Sequence, residues 1–190
     1  MSALLRRLAG GSQLLLLVVV MMAMMSPAAA QAPLRAFGPD SIREIAATAG
    51  GKPLVVLVWS LDCSYCLPSF EALAQAQKTH GARVVTIATD PIDDPQARRL
   101  VAAKLAAGGL RGPAWAFGPW PEARLRHAID PAWRGELPRS YWFGADGKAT
   151  AHSGLISADV VAARLGGQPR NATNPGKQEK TQPAAGANPP

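Results

Sequence analysis

Apolar residues fall along this chain in short blocks, and the spacing within each block predicts its element. Pro53 to Trp59 is apolar throughout and rich in valine, which reads as a strand buried on both faces. Upstream, Asp40 and Ser41 can cap a helix running to about Ala49, with Ile42, Ile45 and Ala46 on one face and Gly50-Gly51 as its stop. Downstream, Leu67, Phe70, Leu73 and Ala74 recur at helical spacing between about Ser64 and Thr79. Ala82 to Thr89 is a second strand. Pro95 to about Ala107 is a second helix with Ala97, Leu100, Val101 and Leu105 facing inward, ended by Gly108-Gly109. Ala114 to Phe117 reads as a short strand and Pro121 to Ile129 as a short helix. Arg139 to Gly144 and Lys148 to His152 flank Asp146-Gly147, a strong hairpin signal. Ser157 caps a last helix with Val161 and Leu165 inward. Strands alternating with helices, then a hairpin and a final helix, predict a three-layer α/β fold whose mixed central sheet is mainly parallel with an antiparallel edge.

The two ends lack this alternation. Leu14 to Met25 is an unbroken apolar run of twelve, preceded by Arg6-Arg7 and followed by Ser26-Pro27 and Ala28-Ala29-Ala30. A basic start, a short apolar core and an A-x-A site read as a signal peptide over residues 1–30, with an uncleaved N-terminal anchor as the alternative. The core is shorter than the roughly 20 residues a spanning helix needs. Either form implies export. After Leu165 no large apolar residue follows, so residues 166–190 are expected to be a disordered tail. Residues 31–165 then form one domain. Removing the first 30 residues takes away two arginines and brings the formal charge from +7 to +5. No basic block with interleaved aromatics is present, so a nucleic-acid partner has no support.

The chain has two cysteines, Cys63 and Cys66, and they directly follow the strand at 53–59. A C-x-x-C between a buried strand and a helix N-terminus is the layout of a dithiol redox site. The unpaired N–H groups and positive dipole end at a helix mouth favour thiolate there. Zinc would need further ligands, and His80, His127 and His152 lack ligand spacing. A purely structural disulfide gains little from so short a loop. The second signal is Gly135-Glu136-Leu137-Pro138 ahead of the strand at 139–144, where a proline is tolerated at the strand start and a cis Leu137-Pro138 bond would serve a tight turn.

Residues 36–166 resemble the TlpA/ResA-like branch of the thioredoxin superfamily, exported bacterial thiol–disulfide oxidoreductases. The matching stretches are Lys52 to Trp59, Cys63-Ser64-Tyr65-Cys66, and Glu136-Leu137-Pro138 leading to Phe143-Gly144-Ala145-Asp146-Gly147-Lys148. The resemblance implies a thioredoxin-like fold, with the segment at about 114–129 as an insert typical of the branch. It implies Pro138 as the cis-proline beside the cysteine pair, with Leu137 pairing with the client chain. It also places Trp59 as the aromatic next to the site, although a plain core tryptophan fits the residue equally. Tyr65 lies between the cysteines, as a client contact or a packing residue at the rim. Three departures stand out. Ser69 occupies the place of an acid three residues after the second cysteine, Leu57 the place of a buried Asp, and Pro68 lies so early in the helix that it should cost a hydrogen bond and bend the first turns.

The expected activity is therefore reduction of disulfides in exported clients, with Cys63 attacking and Cys66 resolving, and no cofactor beyond the pair. No cationic residue lies between the cysteines and Asp62 precedes them, which favours a reductant or isomerase over a strong oxidant. By resemblance the compartment would be a bacterial periplasm and a membrane thiol carrier the electron donor. Two alternatives use the same fold. A copper metallochaperone would need soft ligands, yet all five methionines lie within residues 1–30. A binding module without turnover would not need the intact pair.

Overall fold

The computed structural model describes residues 33–144 and 146–166. The segments expected to be a leader (1–30) and a tail (166–190, Gly166 apart) lie outside the described residues, as does Ala145. Among the described residues no helix is long and apolar enough to cross a membrane.

Six strands form one sheet. They are β1 (Leu34–Phe37), β2 (Leu54–Trp59), β3 (Arg83–Pro91), β4 (Ala114–Phe117), β5 (Arg139–Phe143) and β6 (Ala149–Ser153), in the spatial order β1-β4-β3-β2-β5-β6. The first four strands in that order are mutually parallel; β5 pairs antiparallel with β2 and β6 antiparallel with β5, so β6 runs in the direction of the first four. Among the described residues there are five helices: α1 (Ser41–Ala47), α2 (Cys66–His80), α3 (Pro95–Ala107), α4 (Glu122–Ile129) and α5 (Ala158–Leu165). This is the mixed α/β class expected, a mainly parallel sheet with an antiparallel edge, and β4 and α4 occupy the segment read in sequence as an insert.

The layers follow from the alternation of side chains along β2, every residue of which is buried. Val55, Leu57 and Trp59 face a cluster with Phe70 and Leu73 of α2, Val101 and Leu105 of α3, and Val161 and Leu165 of α5. Leu54, Val56 and Val58 face the opposite cluster with Ile45 of α1 and Leu125 and Ile129 of α4. A strand in a sheet covered on both sides needs an apolar residue at every position, which is what 54–59 supplies.

Several boundaries and faces differ from expectation. The strand β1 was not anticipated; its burial is low at three of four positions, so no apolar pattern marks it. Leu67 and Leu100 point outward, 41% and 47% exposed, where inward positions were expected. Helix α2 begins at Cys66 rather than near Ser64, so its inner face is Cys66, Ser69, Phe70, Leu73 and Ala76. That start also removes the cost expected of Pro68. As the third helical residue it falls in the first turn, where an N–H has no intrahelical acceptor, and α2 runs unbroken to His80. The Ser157 cap is as expected, its hydroxyl accepting from the Val160 N–H.

Candidate functional site

The carboxyl ends of β2 and β3 and the start of β5 meet at one end of the sheet, because β2 and β3 are parallel and β5 is antiparallel. Open α/β sheets place their sites at this end. After Trp59 the chain leaves β2 through Ser60, Leu61 and Asp62 to Cys63, then turns into α2. The Cys63 N–H donates to the Ser60 carbonyl at 3.3 Å and the Cys66 N–H to the Cys63 carbonyl at 3.2 Å. These bonds fold the four-residue motif against the helix start. Cys63 and Cys66 are joined as a disulfide with their Cα atoms 5.4 Å apart. Cys63 is partly exposed, whereas Cys66 is only 1% exposed. Cys66 is the first residue of α2, and the more exposed of the two cysteines is the one expected to attack.

The other expected site residues gather around this end at different depths. Tyr65, at the N-cap position of α2, is 63% exposed and stands at the rim. Trp59 lies beneath the site in the core, its ring edge-on to Phe70 with centroids 4.8 Å apart. At 1% exposure Trp59 has no surface to offer a client, so the core position weighed for it in sequence is the one it takes. Among the described residues its indole N–H has no hydrogen-bond partner. Leu137-Pro138 is a cis peptide bond. Pro138 lies one step beyond the Val58–Arg139 pair of the β2–β5 register, level with Trp59, and its carbonyl accepts from the Gly154 N–H at 2.8 Å. Leu137 is half-buried against the cluster on the α1–α4 face.

A polar cage that sequence reasoning did not foresee holds the loop ahead of Pro138. Arg139 pairs with Asp130 at 2.8 Å and Glu136 at 3.2 Å and reaches the Ser153 hydroxyl at 2.6 Å. The Tyr141 hydroxyl donates to Asp130 at 3.2 Å, and the Trp133 indole N–H donates to the Glu136 carbonyl at 3.0 Å. Burial alone would push the Asp130 carboxyl up. Bonds from the Ala132 N–H, Arg139 and Tyr141 outweigh it and hold Asp130 below the usual carboxylate range. Glu136 is lowered by its own backbone N–H and by Ser153. Burial pushes the Tyr141 phenol up to about 12. The only hint in the sequence was the density of charged and aromatic residues from Asp130 to Tyr141.

These directions set a pH dependence. Carboxyls depressed in the folded state stabilise it fully above their unfolded values near 4, and that contribution is lost as pH falls through the lower folded values. The urea midpoint should therefore drop between pH 5 and pH 3, and Asp130→Asn should show a smaller drop over the same interval. Asp130→Ala should cost about 2 kcal/mol at pH 7, because Arg139 and the Tyr141 hydroxyl lose their shared acceptor. Equal pH responses of wild type and Asp130→Asn would show that the cage does not contribute in this way.

Among the described residues no three His, Cys, Asp or Glu side chains come together as a metal site. The chemistry available is that of the cysteine pair: a partly exposed cysteine joined to a buried one, at a helix start.

No protein-family model matches this chain, and no curated protein matches it. Among solved structures it is similar to a thiol:disulfide interchange protein of the thioredoxin family from Chlorobium tepidum, at 23% identity over 63% of this chain and 84% of that one, with a TM-score of 0.47. A secreted disulfide oxidoreductase of Mycobacterium tuberculosis gives 20% identity over 63% and 84%, with a TM-score of 0.46. A DsbF homologue from Corynebacterium diphtheriae gives 16% identity over 75% and 96%, with a TM-score of 0.49. At identities under 25% and TM-scores under 0.5, what the site does has to follow from its own geometry.

Proposed function

We propose that this chain is an exported thiol–disulfide oxidoreductase that reduces disulfides of periplasmic protein clients through a Cys63–Cys66 dithiol. The observation that carries the reading is the pairing of a partly exposed Cys63 with a buried Cys66 at the start of α2, already joined as a disulfide. In the reductive direction the Cys63 thiol loses its proton to solvent and the thiolate attacks a client sulfur. The client S–S bond breaks, a mixed disulfide forms, and the second client sulfur leaves as a thiolate that takes up a proton. The Cys66 thiol then gives up its proton to solvent and its thiolate attacks the Cys63 sulfur, closing the Cys63–Cys66 bond and releasing the first client sulfur as a thiolate, which is protonated in turn. Two electrons pass from the pair to the client. A membrane thiol carrier would return them.

Pro138, with Leu137 before it, would lie along the client chain, and Tyr65 would contact it at the rim. Trp59 would support the site from below, through Phe70. The leader at 1–30, cleaved or retained as an anchor, would bring the domain to the periplasm. The test is reduction of insulin disulfides, with dithiothreitol as the electron source. The wild type should accelerate it over the reagent alone, and Cys63→Ser should fall to the background rate. A wild type no faster than the reagent would overturn the proposal.

A further inference from the structure

The two positions at which the resemblance would place a proton-handling acid carry no charge here. Leu57 is in the core, and Ser69 is fully buried, its hydroxyl donating to the Tyr65 carbonyl at 2.8 Å and accepting from the Ile156 N–H at 3.0 Å. A carboxylate does reach the site, from β3. The register between β3 and β4 shifts between Ala88 and Pro91, and such an irregularity re-aims side chains at a strand end. Asp90 sits in that shifted stretch, half-buried, and its Oδ2 accepts from the Leu61 N–H at 3.0 Å. Leu61 is two residues before Cys63, in the turn that the Cys63–Ser60 bond closes.

Charges around Asp90 do not neutralise it. Asp62, exposed in the same turn, is the charged side chain whose field acts on it, and it is of like sign. Burial pushes the Asp90 carboxyl up, the bonds from Leu61 and from its own backbone oppose this, and Asp62 adds to the rise. A partly buried anion tied to this turn is screened less than a surface one.

We propose that Asp90 is a positioning residue of the redox site, holding through the Leu61 N–H the turn that presents Cys63 and opposing by its charge the ionisation of the Cys63 thiol. The inference rests on Cys63 being the attacking thiol, and it gives the chain a carboxylate at the site that its own Leu57 and Ser69 do not supply.

The experiment follows alkylation of Cys63 by iodoacetamide against pH in reduced full-length Cys66→Ser protein. Asp90→Asn keeps an oxygen that can accept from Leu61 and removes the charge. At pH 6 its rate should rise about three- to tenfold and the midpoint of the profile should move to lower pH. In the two-cysteine protein, Asp90→Asn should raise the reduction potential measured against glutathione. Asp90→Ala should shift the profile the same way and also speed amide exchange at Leu61 and Cys63, because the turn loses its anchor. Superimposable profiles and equal potentials for Asp90→Asn and wild type would overturn the proposal. So would a rate raised equally at every pH, which is an effect of access and not of ionisation. Should Asp90→Asn fail to fold, Asp90→Glu carries the test: it keeps the charge and should keep the wild-type midpoint, and a profile shifted to lower pH would overturn the proposal. None of these readouts needs a client. A protein that titrates as stated but reduces no disulfide sinks the oxidoreductase reading alone, and an active reductase with unchanged titration sinks the role of Asp90 alone.

Discussion

Cys66→Ser protein, reduced and mixed with a disulfide-bonded client, should accumulate a covalent mixed disulfide through Cys63, while Cys63→Ser should trap almost none. The asymmetry follows from depth. Cys63 lies in the turn ahead of α2 and is partly exposed, so a client sulfur can approach it in line. Cys66 is 1% exposed and packed with Phe70 and Leu73 in the core cluster, so it can reach a sulfur already brought to Cys63 but not one in solution. Removing the resolving thiol leaves the mixed disulfide without an exit, and removing the attacking thiol prevents it from forming. Nearly all of the trapped material should therefore appear in one variant. Non-reducing electrophoresis with insulin or a glutathione conjugate reads the result directly. Trapping through Cys66 alone would reverse the roles and remove the basis for placing Asp90 beside the attacking thiol.

Trp59→Ala should destabilise the oxidised protein by about 3–5 kcal/mol, as truncation of a fully buried tryptophan does. The ring fills the space between β2 and the second turn of α2, edge-on to Phe70, so its loss opens a cavity directly under the site. Trp59→Phe should cost much less, since it keeps most of the volume and removes an indole N–H that has no partner among the described residues. Urea unfolding at neutral pH measures both. A loss below about 1 kcal/mol in Trp59→Ala, together with weakened client capture, would return Trp59 to a role in client binding.

What the sequence disclosed and what it hid divide along one physical line. Residues 54–59 and 114–117 were legible as short apolar runs of strand length, and 95–107 by the helical spacing of Ala97, Val101 and Leu105. The place of Cys63 and Cys66 at the start of α2 and the cis Leu137-Pro138 bond were legible because each is tied to local order: a strand, a turn, a helix start. Leu67 and Leu100 were misplaced because a helical period alone does not say which of two neighbouring stripes meets the sheet; in α2 it is the stripe of Cys66, Ser69, Phe70, Leu73 and Ala76, which leaves Leu67 outside. Asp90 gave no signal, since its bond to the Leu61 N–H spans 29 positions and arises only when β2 and β3 pair. The Arg139 cage was hidden for the same reason: Ser153 comes to it through the hairpin register, opposite Arg139.

The sheet's far edge imposes an order on assembly. β1 lies beside β4 only, with Leu34 opposite Ala114 and Phe37 opposite Phe117. A chain made from its N-terminus therefore carries this strand unpaired until the insert has been synthesised, long after β2 and β3 have both been made. Late, non-local closure of that kind is slow in chain-entropy terms, and an unpaired strand invites wrong partners meanwhile. β1 is suited to the wait: it is four residues long, Arg35 and Ala36 at its centre are exposed, and Arg35 closes over the Trp115 ring at 4.0 Å only once β4 has arrived. The strand behaves as a latch that waits for β4, and a chain cut short before residue 114 would hold its Cys63–Cys66 motif without ever closing that edge.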